Sequence, residues 1–212
     1  MSYLVVLLAA LLVVPLGQPA GSVAHDVAAS SRRPAIKPTR EGFRFVDADG
    51  QRVGTGRLRT YRLEVEPRTG IDPRAFSNTA ERILNDERGW TGAGDWSLQR
   101  VSRYDPDIRI VLATPATVDK LCARAGLNTF GEVSCWNGQF AALNIKRWKT
   151  GSRGFNGSLR AYRRYLLNHE VGHGLGYAHQ SCPRRGARAP IMQQQTFATA
   201  PCRANGWPTR SP

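Results

Sequence analysis

The chain has 212 residues, 41% of them hydrophobic, with 30 basic against 16 acidic residues and a net charge of +14. That apolar content excludes a disordered chain, and the length suits one domain with a sizeable core. Arginine, twenty-six residues of it, is spread along the chain and no aromatic-interleaved basic motif accompanies it, so a specific nucleic-acid reader is excluded. The charge is read as a solvating surface, with weak affinity for anionic cell-wall polymers as a side effect, and a monomer is expected.

In chain order, Tyr3 to Leu16 is an almost unbroken apolar run. It is short for a membrane span and has the length of a signal-peptide core. Ser22-Val23-Ala24 supplies small residues for cleavage before His25, but no lysine or arginine precedes the run. Residues 1–24 therefore read as an export signal, either removed or kept as an uncleaved anchor. Residues 25–40, polar and basic with Pro34 and Pro38, read as a linker, and the domain is expected over 41–208. Gly42 to Asp47 and Leu58 to Val65 predict strands, and Pro73 to Asp86 a helix with Ala75, Thr79, Ile83 and Leu84 near one face. Ser97 to Arg103 and Ile108 to Ala113 predict two more strands. Pro115 to Ala125 predicts a short helix, with Thr114 as N-cap, Pro115 at the first position and Gly126 beyond the end. Glu132 to Trp136 and Gln139 to Ile145 form a hairpin around Asn137-Gly138. A glycine-rich connection, Gly151 to Gly157, leads to a helix capped by Ser158. Leu159, Tyr162, Leu166, His169 and His173 fall on one stripe of that helix, and Leu167, Val171 and Leu175 on a second, apolar one. The tail after Cys202 reads as irregular. This order predicts a single α+β domain, α/β-like, with its longest helix in the second half.

The last helix carries the densest signal. His169-Glu170-Val171-Gly172-His173-Gly174-Leu175-Gly176-Tyr177-Ala178-His179 fits H-E-x-x-H-x-x-G-x-x-H, and holds three of the four histidines in the chain. Residues four apart share a helix face, so His169 and His173 can aim at one point. A third ligand cannot follow on a straight helix; Gly176 is placed to end it, because glycine takes positive φ at little cost, and His179 then returns from the far side. Three histidines leave one position of a zinc ion open, the arrangement of a catalytic site. Glu170 is turned about 100° from a ligand, beside the expected zinc-bound water rather than on the metal, and is read as the general base. Gly172 and Gly174 should each cost about 1 kcal/mol in a helix interior, which predicts close backbone packing there.

These residues resemble the metzincin superfamily of zinc endopeptidases, in which a methionine-containing turn runs beneath the zinc. Pro190-Ile191-Met192-Gln193-Gln194-Gln195-Thr196, with the only methionine besides Met1, looks like that turn. The span from Asn168 to Cys202 more narrowly resembles a group of small secreted actinobacterial metzincin-like proteins. The resemblance implies a mixed twisted sheet over an active-site helix, an exported enzyme that hydrolyses peptide bonds, and Met192 as support for the site. By the same resemblance Phe140 to Ile145 is a candidate for the sheet-edge strand along which a substrate lies, with an ordinary paired strand as its other reading. Two positions depart from it: Gln180 follows the third histidine, unlike the better-known families, and Gln194 stands where several families place a zinc-reaching tyrosine. Tyr177 and Tyr165 are the remaining candidates for that phenol, with packing as their other reading. The alternative from a different class is a secreted module that binds anionic cell-wall polymers and keeps a zinc ion without turnover.

Four cysteines allow three pairings. The local ones, Cys122 with Cys135 and Cys182 with Cys202, are the most economical, and the second would close a loop around Met192. No C-x-x-C pair exists, so disulfides are preferred to a second metal site, and they place the domain outside the cytoplasm.

Overall fold

The structure, a computed structural model, describes residues 33–103 and 105–208. The export-signal or anchor reading of residues 1–24 and the first part of the linker lie outside the described residues. Among the described residues no helix is long and apolar enough to cross a membrane.

Seven strands form one mixed sheet: β1 (Ile36–Pro38), β2 (Arg44–Val46), β3 (Arg57–Val65), β4 (Trp96–Arg100), β5 (Ile108–Ala113), β6 (Cys135–Trp136) and β7 (Phe140–Asn144). The main path runs β1-β2-β3-β5-β7-β6, with β4 also pairing β3. β3, β5 and β7 are parallel neighbours, Tyr61 opposite Ile108 and Arg109 opposite Phe140. β5 and β7 are buried throughout, so both faces carry apolar residues and the alternation of a half-exposed strand is absent.

Four α-helices accompany the sheet: α1 (Pro73–Leu84), α2 (Pro115–Ala123), α3 (Ile145–Thr150) and α4 (Leu159–Gly174). Each begins at a polar cap. Asp72 accepts from Arg74 N, Thr114 from Thr117 N, Asn144 from Lys146 N and Ser158 from Ala161 N. One sheet face, with Leu63, Ile110, Leu112 and Leu143, buries α1 and α4 in the larger core, which includes Phe76, Leu84, Tyr165 and Leu166. The other face, with Val111, Ala113 and Ala142, buries Val118 and Leu121 of α2. Residues from 34 onward form one compact unit.

Three expectations need correction. Residues 36–38, assigned to the linker, pair with Val46 to Arg44 as an edge strand, so the sheet begins before residue 41. The stretch from Phe140 is no edge: β7 has β5 on one side and β6 on the other, and β6 is the outer strand. The same stretch ends as strand at Asn144, whose side chain caps the six-residue helix α3 from Ile145.

Both disulfides join local partners. Cys122 bridges Cys135 with a Cα separation of 6.1 Å, and Cys182 bridges Cys202 at 5.8 Å, leaving no free cysteine. Such bridges suit an extracytoplasmic protein.

Candidate metal centre

Helix α4 ends in a Schellman motif. Tyr177 N donates to Gly172 O at 3.0 Å and Gly176 N to His173 O at 2.9 Å, with Gly176 at φ +99°. Only a residue without a Cβ takes that φ cheaply, and the reversal carries His179 back toward the helix. The three imidazoles then converge. Ring centroids lie 4.9 Å (His169–His173), 4.6 Å (His173–His179) and 5.3 Å (His169–His179) apart, and one nitrogen from each falls within 4.8 Å of the others. His173 Nε2 and His179 Nε2 are 3.0 Å apart, near the roughly 3.3 Å separating two nitrogens on one tetrahedral zinc.

Two backbone carbonyls orient the helical ligands. His169 Nδ1 lies 2.8 Å from Ile191 O, and His173 Nδ1 lies 2.9 Å from Tyr177 O. A carbonyl only accepts, so each Nδ1 is assigned the proton and each Nε2 keeps its lone pair for the common centre. Sequence reasoning cannot find these partners, because a carbonyl leaves no mark in a residue's identity.

The turn at Met192 grips the site from below. Met192 is 1% exposed, and a Cβ on Gly172 would lie 2.5 Å from its Sδ and 2.7 Å from Trp90 Cζ2. A Cβ on Gly174 would lie 2.9 Å from Ile108 Cδ1. Both helical glycines thus answer to close packing. Gln180 N donates to Met192 O at 3.1 Å, so consecutive carbonyls of the turn hold His169 and the residue after His179. The turn is itself fastened by buried amides missed in the sequence. Gln193 donates to Ala198 O and Thr199 O, Gln195 to Asn205 O, Asn205 to Ala189 O, and Asn168 to Gly206 O. Residues 203–208, expected to be irregular, form no helix or strand, yet these bonds tie Asn205 and Gly206 into the domain.

Gln194 is exposed, and neither tyrosine candidate stands free. Tyr165 is 1% exposed and its hydroxyl accepts from Thr196 N at 3.4 Å. The Tyr177 hydroxyl accepts from Trp96 Nε1 at 3.1 Å, and its ring stacks on Trp90 at 4.6 Å. Both take packing and hydrogen-bonding roles.

Residues 31–208 match the family described as "Protein of unknown function (DUF3152)". The chain belongs to the DUF3152 family. No curated protein matches it. The match covers the whole described domain of this DUF3152 protein, edge strand β1 included.

The charge states in this DUF3152 site suit a metal. Burial pushes His169 down to about 3, outweighing the Ile191 carbonyl, and burial likewise lowers His173 and His179. All three rings are neutral at neutral pH, the form that ligates. Glu170 is 4% exposed, and burial pushes its carboxyl up to about 8. It lies outside the group of converging ligand atoms. Three neutral imidazoles, two of them with anchored Nδ1 atoms, and no fourth protein ligand among the described residues, are a donor set that fits a zinc ion with one position left open.

Proposed function

We propose that this protein is an exported zinc-dependent endopeptidase. The observation that carries the reading is the convergence of His169, His173 and His179 with Glu170 beside them, buried but not a member of the ligand group. The histidines would hold the ion through their Nε2 atoms, His169 and His173 being pre-oriented by the Ile191 and Tyr177 carbonyls. Zinc bound there supplies Lewis acidity at an open position, acidifying water and polarising a peptide carbonyl. Glu170 takes the proton of the attacking water on a carboxylate oxygen and passes it to the departing amide nitrogen. Burial raises its proton affinity, and the charge of a zinc ion held by the histidines would lower it again toward the range that serves both halves of the transfer. The outer edge of β6 offers backbone groups to which an extended peptide can pair.

The test is metal content and peptide-library cleavage of wild type and Glu170→Ala in one assay. One zinc per chain in both proteins is expected, with cleavage abolished by chelator and reduced about 10²–10⁴-fold in Glu170→Ala. Full cleavage by Glu170→Ala would remove Glu170 from its role, and stoichiometric zinc without cleavage of a broad library would end the peptidase reading.

A further inference from the structure

The net charge is not evenly distributed. Residues 133–212 carry twelve basic residues and one acidic residue, the buried Glu170, whereas residues 1–132 carry eighteen and fifteen. The C-terminal part of the chain, which builds the histidine site, therefore holds most of the excess, against the even spread that composition suggests.

Part of this charge is mounted on a rigid support. Arg184, Arg185, Arg188 and Arg203 are all exposed and sit on two segments joined by the Cys182–Cys202 bridge. Gly186 N donates to Pro201 O, Ala189 N to Arg203 O and Arg203 N to Ala187 O, at 2.9, 2.9 and 2.7 Å. Among the described residues none of the four has an ion-pair partner. Four like charges fixed on one small lobe repel one another, and a bound anion relieves that repulsion.

Arg188 brings this lobe to the rim of a cleft of about 1390 Å³, which the Met192 turn also borders. Arg88, Trp96, Trp207, Glu87 and Asp95 line it as well, while Glu170 and the three histidines do not. The Arg164 guanidinium stands 5.2 Å from the Trp207 ring and adds cationic character beside an apolar surface; Arg88, 4.5 Å from the same ring, has its charge matched by Asp86 at 2.7 Å.

We propose that this cleft and its arginine lobe form a second binding site, which takes an acidic stretch of polypeptide. Arginine forks pair carboxylates through two parallel hydrogen bonds. The aromatic lining accepts apolar side chains spaced between the acidic ones. Glu87 and Asp95 offer carboxylate acceptors to backbone N–H groups, which a polypeptide has and a phosphodiester backbone lacks. That the bound polypeptide is also the substrate rests on the peptidase reading; that it binds does not.

The test is fluorescence anisotropy of labelled poly-L-glutamate with the zinc-loaded protein over a salt series. Arg184→Ser/Arg185→Ser/Arg188→Ser should weaken binding about tenfold or more and flatten its salt dependence. Lys120→Ser/Arg124→Ser/Arg153→Ser, which removes the same charge elsewhere, should weaken it about twofold at most. Equal losses in the two triple variants would overturn the site in favour of bulk charge. Tighter binding of inorganic polyphosphate or of phosphatidylserine vesicles than of poly-L-glutamate would overturn the polypeptide assignment. Glu170→Gln should bind poly-L-glutamate as wild type does, so a failure of the peptidase reading leaves this result intact, whereas loss of binding in Glu170→Gln would overturn a site separate from the histidines.

Discussion

Gly172→Ala tests the packing beneath the histidine site. The new Cβ would stand 2.5 Å from Met192 Sδ and 2.7 Å from Trp90 Cζ2. Carbon contacts become favourable only near ~3.5 Å, so both neighbours must retreat by roughly 1 Å. The Met192 thioether can swing. Trp90 has less freedom: it is 5% exposed, its Nε1 donates to Asn168 O at 3.0 Å, and its ring is stacked on Tyr177. Overpacking of this kind costs about 1–3 kcal/mol, and replacing a helical glycine by alanine returns about 1 kcal/mol. Two simultaneous clashes place the cost in the upper part of that range, for a net loss of about 1–2 kcal/mol. At about 2–4 °C per kcal/mol for a domain of this size, the melting temperature should fall by about 2–8 °C in calorimetry. Gly174→Ala is the internal control. Its Cβ meets the end of a flexible side chain, Ile108 Cδ1 at 2.9 Å, and the helix gain offsets the crowding, so its melting temperature should stay within about 2 °C of wild type. On a Met192→Ala background one of the two clashes is gone, and the Gly172→Ala penalty should shrink. A Gly172→Ala protein that melts at or above wild type, or a Gly174→Ala protein that falls as far, would refute the packing account.

The chelated protein should show a stability plateau in pH. His169 is lowered from its ordinary 6.5 to about 3, so the unfolded chain binds a proton the folded one refuses, and stability is lost as pH falls from about 6.5 toward 3. Glu170 is raised from 4.5 to about 8, so its contribution is complete below 4.5 and is lost as pH rises toward 8. The two slopes oppose between about 4.5 and 6.5, and Glu170→Gln should remove the alkaline decline in melting temperature; an unchanged decline would show that Glu170 does not cause it. Cys182→Ser/Cys202→Ser should cost about 3 kcal/mol and raise zinc dissociation, because the bridge closes the loop that carries Met192, whereas Cys122→Ser/Cys135→Ser should cost a similar amount with zinc affinity kept. Equal zinc affinity in both double variants would contradict this. Glu64→Gln should cost about 3–5 kcal/mol in urea unfolding, because Glu64 is fully buried and its carboxylate accepts from Arg62 and Arg109 at 2.8–2.9 Å. A loss under 1 kcal/mol would mean that the two guanidinium groups find other partners.

Local patterns were legible where one residue type does one job. Thr114 and Ser158 cap helices, Pro115 opens one and Gly176 ends one, because capping and positive φ depend on neighbours a few residues away. The strand at 108–113 was legible from its apolar run. Edge strand β1 was not, because Ile36–Pro38 has little apolar content and becomes a strand only by pairing with Arg44–Val46. Helix α3 was hidden because six residues show less than two turns of periodicity, although Asn144 before Ile145 is a cap signal. The position of β7 inside the sheet depends on β6, two residues long, folding back along it.

The spacing of three histidines, a glutamate and a glycine over eleven residues determined by itself which side chains could meet, since helix geometry relates residues a turn apart and glycine permits the reversal. Only the tertiary structure decided what orients and supports them: the Ile191 and Tyr177 carbonyls and the Met192 contact at Gly172. Those partners come from backbone atoms and from segments distant in sequence, and neither is encoded in the identity of a residue or of its near neighbours.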